Sequence, residues 1–139
     1  MFTSRHMVRF DDVDGAGIVY YPRFFNFCHK TFEDLFNQRG PLKYSTLIKE
    51  QDIGFPTVHV HADFLKPFYY GDEIDISLGI KSMGNSSVNC VFILHNALTN
   101  EKHFKALITV VCARVSQKKS IPIPDELRNF LSKFPAKDE

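Results

Sequence analysis

Asp14 opens the segment Asp14-Gly15-Ala16-Gly17-Ile18-Val19-Tyr20-Tyr21-Pro22, two residues after a second carboxylate, Asp12. Pro22 suits the first position of a helix, where its missing N–H costs nothing. Amides at a helix N-terminus lack partners within the helix and carry a partial positive charge. A carboxylate held beside them is placed to attack an electrophilic carbon, or to activate water against it, while the amides hold the negative charge that develops. Gly15 and Gly17 let the turn fold tightly against the start of the helix. Taken alone, Asp14 reads as an Asx turn or helix cap, the commoner role of an Asp-Gly pair.

Other candidate groups are weaker. Asp12-Val13-Asp14-Gly15-Ala16-Gly17 begins like a calcium loop, but the loop needs Asp or Asn where Ala16 stands and Glu where Arg23 stands. His59, His61 and Asp63 share one face of a predicted strand but have no fourth ligand, so no metal site is expected. Cys28, Cys90 and Cys112 lie in apolar stretches without a CxxC pair. They read as buried free thiols of a reducing compartment, not as nucleophiles. His29 and Glu33 stand one helical turn apart on the predicted helix.

The elements that must position Asp14 follow from periodicity. Residues 6–12 are expected to form a first strand, stopped by Asp11-Asp12. From Pro22, Phe24, Cys28, Phe32, Leu35 and Phe36 recur at three- and four-residue spacing, and Gly40-Pro41 ends the helix. So broad an aromatic stripe calls for a curved sheet wrapped around it. A short helix is expected near Tyr44–Glu50. The period then becomes two: Thr57–Phe64, Ile74–Lys81, Val88–Leu94 and Phe104–Val115 read as four consecutive antiparallel strands. Residues 125–133 form a short last helix capped by Asp125. One segregated long helix among runs of strands implies the α+β class.

Composition bounds the rest. The chain of 139 residues fits one domain, 1–135, with a flexible tail at 136–139. A formal net charge of +1 and no basic run longer than Lys118-Lys119 argue against a nucleic-acid partner. No apolar stretch reaches membrane-spanning length, and the N-terminus has no secretory h-region, so a cytoplasmic location is expected. Fourteen Phe and no Trp point to a Phe-rich core or a greasy binding tunnel.

The segment Asp14–Pro22, set just before a Phe-rich helix, resembles the signature of the 4-hydroxybenzoyl-CoA thioesterase family, which includes the Tol-Pal-associated type. Gly54-Phe55-Pro56-Thr57-Val58, Phe64-Leu65-Lys66-Pro67 and Gly71-Asp72-Glu73-Ile74 fall where that family places its second and third strands. Gly84-Asn85-Ser86 resembles the turn before its fourth. The resemblance implies a hotdog fold, a curved antiparallel sheet of about five strands around one long helix. It implies hydrolysis of an acyl-CoA thioester to a carboxylic acid and CoA, with no cofactor, CoA being part of the substrate. By the same resemblance Asp14 is the catalytic carboxylate and the backbone amide of Tyr21 polarises the carbonyl. Gly17, Ile18, Tyr20, His61, Asp63 and Ser86 are expected to line the substrate, and the protein to be a homodimer or homotetramer with sites at the dimer interface.

Two departures matter. Some relatives carry His where this chain has Tyr21, which favours Asp14 acting alone. Some carry an Arg/Lys cluster at the turn before the fourth strand, where this chain has Met83-Gly84-Asn85-Ser86 with Lys81 nearby. The second departure keeps an acyl carrier protein open as the thioester carrier. A non-catalytic acyl-CoA-binding module is the alternative of a different class.

Overall fold

The computed structural model describes residues 1–137. Helix α1 (Pro22–Arg39) buries Phe24, Phe27, Cys28, Thr31, Phe32, Leu35 and Phe36, one continuous face at three- and four-residue spacing. Each of these rings, fully removed from water, stabilises the fold by roughly 1.5–3 kcal/mol. Gly40 ends the helix, its amide donating to the Phe36 carbonyl at 3.0 Å. The expected C-terminal glycine is there for a different reason than a left-handed cap. Its backbone is extended (φ −79°), and an added Cβ would lie 2.7 Å from the Phe36 oxygen.

The main sheet has the order β1-β4-β5-β6-β3, built from β1 (Phe2–Met7), β3 (Thr57–Phe64), β4 (Glu73–Met83), β5 (Ser87–Asn96) and β6 (Lys102–Val111). All its pairings are antiparallel. The α1 contacts run to β1 and β4, and the α1 rings of Phe24 and Phe25 meet Phe64 and Phe104 on β3 and β6. The sheet therefore wraps the helix, as the α+β hotdog expectation requires. Between α1 and β3 lie α2 (Tyr44–Gln51) and β2 (Ile53–Gly54). With β7 (Ala113–Arg114) and β8 (Lys119–Ser120), β2 makes a second sheet of three short strands. Helix α3 (Asp125–Leu131) follows, with Pro124 rather than Asp125 at its cap position.

Four expectations are corrected. The first strand occupies Phe2–Met7, not 6–12, because Asp12 diverts the chain. Its Oδ2 accepts the Arg9 amide at 2.8 Å and closes a single 3-10 turn at Phe10–Asp12. Of the four later strands, β4, β5 and β6 pair antiparallel in sequence order, but β3 does not pair with β4. β3 crosses to the far edge and pairs with β6, while β4 pairs with β1 and β5. The expected strand Phe104–Val115 breaks at Cys112, whose amide turns to the Ser86 carbonyl and whose carbonyl accepts the Ile121 amide. In the expected tail, the Ala136 amide donates to the Ile80 carbonyl at 2.9 Å and Pro135 bridges Ile80. Asp138 and Glu139 lie outside the described residues.

β3 is the open edge of the main sheet. Seven of its eight residues are exposed, among them Val58, Val60 and Phe64. The opposite edge is tied down: Arg5 on β1 donates to both carboxylate oxygens of Asp75 on β4 (2.7 and 3.1 Å), which holds that carboxyl below the usual carboxylate range. Ser4 and His6 on β1 both reach Asp34 Oδ2 on α1, at 2.8 and 3.1 Å. The three cysteines are buried and free. Desolvation pushes the Cys90 thiol up to about 12 and raises Cys28 and Cys112 as well, so none is a ready thiolate.

Candidate active site

Residues 13–19 form a miniature hairpin. Val13 bridges Val19, the Asp14 amide donates to the Ile18 carbonyl (3.0 Å), and the Gly17 amide donates to the Asp14 carbonyl (3.0 Å). This is a tight turn closed by Gly17 at φ +79°, the left-handed position that glycine fills without strain. Gly15 does not share that requirement. The Tyr20 amide donates to the Asp12 carbonyl at 3.0 Å, so the hairpin delivers the chain directly into α1.

Asp14 is exposed, and its Oδ1 accepts the Ala16 amide at 2.8 Å. The Asx turn is therefore real, but it uses one carboxylate oxygen. Oδ2 accepts no hydrogen bond among the described residues. Asp12 differs on both counts: it is buried, and its carboxylate is committed to the Arg9 amide.

At the start of α1 the Arg23 and Phe24 amides turn back to the carbonyls of Tyr20 (2.8 Å) and Tyr21 (3.2 Å), and Pro22 has no N–H. The Tyr21 amide is left without an acceptor among the described residues. The Tyr21 side chain stands edge-on to Tyr20 and Phe64. It lines a 310 Å³ cleft with Val19, Phe24, Phe64, Leu65, Lys66 and Pro67. The unpaired Tyr21 amide and an apolar cleft thus adjoin at the start of α1, and the hairpin that carries Asp14 leads directly into it. That arrangement suits attack on a carbonyl flanked by an apolar group.

The sequence reading missed what holds this end in place. The chain between β3 and β4 lies against the hairpin: the Val19 amide donates to the Phe68 carbonyl (2.9 Å), the Tyr70 amide to the Gly17 carbonyl (3.3 Å), and Ile18 bridges Tyr69. Buried His103 supports that connection, with Nδ1 3.0 Å from the Pro67 carbonyl and its ring stacked on Phe68 at 4.4 Å. The only signal in the sequence was the Lys66-Pro67 interruption. Of the expected site residues, Asp14, Gly17, Ile18, Tyr20 and Tyr21 are gathered here. His61, Asp63 and Ser86 are not. Val60 and Phe64 face α1, so alternation turns His61 and Asp63 to the other side of the sheet, into a 620 Å³ hollow with Lys81, Val91, Lys105 and Leu107. Ser86 lies in the β4–β5 turn, a full β4 length from the Asp72–Glu73 end that adjoins the hairpin. Among the described residues no three His, Cys, Asp or Glu side chains stand close enough to share a metal ion. No helix is long and apolar enough to cross a membrane.

Comparison with known proteins identifies the family and the fold. A thioesterase-like superfamily model matches residues 8–131. The chain is 28% identical over 130 residues to the 1,4-dihydroxy-2-naphthoyl-CoA hydrolase of Nostoc punctiforme, covering 94% of this chain and 86% of the relative. It superposes on the crystal structure of a 1,4-dihydroxy-2-naphthoyl-CoA thioesterase from Synechocystis with TM-score 0.85 and 27% identity, over 94% and 95% of the two chains. The PA5185 protein of Pseudomonas aeruginosa shares the fold at TM-score 0.89 and 21% identity, over 100% and 94%. The chain belongs to the thioesterase-like superfamily and is a thioester hydrolase.

The hairpin makes a prediction about its two glycines. Neither has a neighbour within 4 Å of an added Cβ, so conformation alone separates them. Gly17→Ala forces a side chain into the left-handed region and costs about 1 kcal/mol. Gly15→Ala costs less than about half of that. Denaturant midpoints of the two variants measure the difference; equal shifts would contradict the assigned turn.

Proposed function

We propose that the protein is an acyl-CoA thioesterase, with Asp14 as nucleophile or general base and the Tyr21 amide as the donor that polarises the thioester carbonyl. The observation that carries this reading is the unpaired Tyr21 amide at the start of α1, into which the hairpin bearing Asp14 leads directly through the Tyr20–Asp12 hydrogen bond. Gly17 and Ile18 hold that hairpin and Tyr20 flanks the cleft, so all three belong to the substrate-binding surroundings.

Two routes fit the geometry. In one, Asp14 Oδ2 attacks the carbonyl carbon, the thiolate of CoA departs, and water cleaves the resulting mixed anhydride to regenerate the carboxylate and release the acid. In the other, Asp14 takes a proton from water, and the hydroxide adds directly to the carbonyl. Both pass through an oxyanion that the Tyr21 amide stabilises, an effect on the order of 10²–10³ in rate for one donor. The names of the relatives support CoA as the carrier, and hydrolysis of the same acyl group on an acyl carrier protein tests the other.

We infer that two copies pair through β3. An edge strand this long, with Val58, Val60 and Phe64 exposed, is a template for pairing with a second chain. A second copy there also closes the cleft beside Phe64 and shields the chemistry from bulk water. Sizing of the purified protein is expected to return a dimer or a multiple of it; a monomer at micromolar concentration contradicts the pairing.

Asp14→Asn is the direct test of the carboxylate. Asn keeps an Oδ1 acceptor for the Ala16 amide, so the turn survives and only the charge and basicity are lost. Against a panel of short, long and aromatic acyl-CoAs, kcat is expected to fall by roughly 10²–10⁴ with an unchanged unfolding midpoint. Unchanged activity in the variant would remove Asp14 from the chemistry.

A further inference from the structure

Three cavities lie along one ridge of α1. The first is the 310 Å³ cleft at Tyr21. Phe25 contacts Phe64 of that cleft at 6.2 Å between ring centroids and also lines a 250 Å³ cavity with Cys28, His29, Phe32 and Val60. His29 in turn is shared with a cavity of 840 Å³, bounded by Glu33, Tyr44, Phe55 and Val58. Tyr21, Phe25, His29 and Glu33 are spaced by four, so they stack on one side of the helix.

The walls of the first two cavities are mainly apolar, interrupted by Lys66 and Thr57, and lead to His29 and Glu33, a solvent-accessible pair whose Nε2 and Oε2 are 3.0 Å apart. His29 also stands edge-on to Tyr44 at 6.5 Å. Tyr44 is itself committed, its hydroxyl oxygen accepting the Phe55 amide at 2.9 Å. Lys49 and Lys118 line the same cavity, and neither has a carboxylate within 4.0 Å among the described residues. Eight residues at 1.5 Å rise set His29 about 12 Å beyond Tyr21 along the helix axis.

We propose that these cavities form the acyl-binding channel and that the His29–Glu33 pair receives a hydroxyl at the far end of the acyl group. The inference rests on the assignment of the thioester carbonyl to the Tyr21 amide. The selected substrate is an apolar acyl group, aromatic or aliphatic, with a hydroxyl about 12 Å from its carbonyl. Glu33 accepts the hydroxyl proton and His29 offers the second hydrogen bond, while Phe25 guards the passage from the first cavity to the second. A plain helix-surface ion pair, the alternative role of His29 and Glu33, has no effect on which acyl group is cleaved.

The test compares two acyl-CoAs of roughly ten carbons, a length that spans the channel, one with a terminal hydroxyl and one without. Wild type is expected to favour the hydroxylated substrate by about tenfold or more in kcat/KM. His29→Leu and Glu33→Leu are each expected to bring that ratio close to one. Phe25→Trp is expected to lower kcat/KM for both ten-carbon substrates relative to acetyl-CoA. No preference in wild type, or a preference that survives both Leu variants, overturns the proposal. If wild type hydrolyses no thioester, the assignment of the Tyr21 end fails instead. Calorimetric binding of the free ten-carbon hydroxy acid to wild type and His29→Leu then decides the channel by itself: tighter binding to wild type supports it, and equal binding overturns it.

Discussion

The burial of the aromatic face of α1 in the concave side of the sheet is the constraint from which the site follows. Phe24, Phe27, Phe32 and Phe36 are all at most 4% exposed, and with Leu35 they lock the helix in rotation and in position along its axis. A helix fixed in this way presents its first amides at one place. Tyr21 follows the exposed hairpin and precedes the first buried ring by three residues. Its amide is therefore held in place by the packing of the helix.

Around that fixed end the chain spends its turns on orientation. The 13–19 hairpin is held from below by the Tyr20–Asp12 bond and from the side by the β3–β4 connection, which His103 and Phe68 stack into place. Asp14 consequently hangs from a turn whose backbone groups are paired, with one carboxylate oxygen anchored and one available. The two acidic residues of the segment thereby divide their roles. Asp12 is buried and its carboxylate is committed to the Arg9 amide, whereas Asp14 is exposed and keeps one carboxylate oxygen without a hydrogen bond among the described residues, which is why the proposed chemistry is assigned to Asp14. The cleft reaches Phe64 at the end of β3, whose outer edge is unpaired among the described residues; the dimer proposed above would cover that edge.

The parts of this account that were legible in the sequence are those set by local pattern. The α1 stripe, the alternation in Thr57–Phe64 and Glu73–Met83, and the glycine turn after Asp14 each announce themselves within a few residues of one another. What the sequence hid depends on distant partners. The crossing of β3 to pair with β6 joins residues such as His61 and Leu107, and no local feature of either strand specifies that neighbour. Alternation put His61 and Asp63 on one face, but which face meets α1 is decided by the side chains of Val60 and Phe64 packing inward. The misplaced first strand has a similar origin. Val8 and Phe10 alternate as in a strand, yet a side-chain cap from Asp12 outcompetes the pattern and curls the chain. His103, a lone histidine in an apolar strand, carried no sign that it would brace the connection beside the site.

The central claim is that the Tyr21 amide polarises the thioester carbonyl, and vibrational spectroscopy tests it without relying on turnover. Acyl-CoA carrying a ¹³C-labelled thioester carbonyl is bound to the Asp14→Asn variant, and the infrared difference spectrum against unlabelled ligand isolates that one stretch. A hydrogen bond from the helix end weakens the C=O bond, so the stretch is expected at lower frequency than for the same acyl-CoA free in an apolar solvent. A carbonyl that binds with its apolar-solvent frequency unshifted would contradict the account.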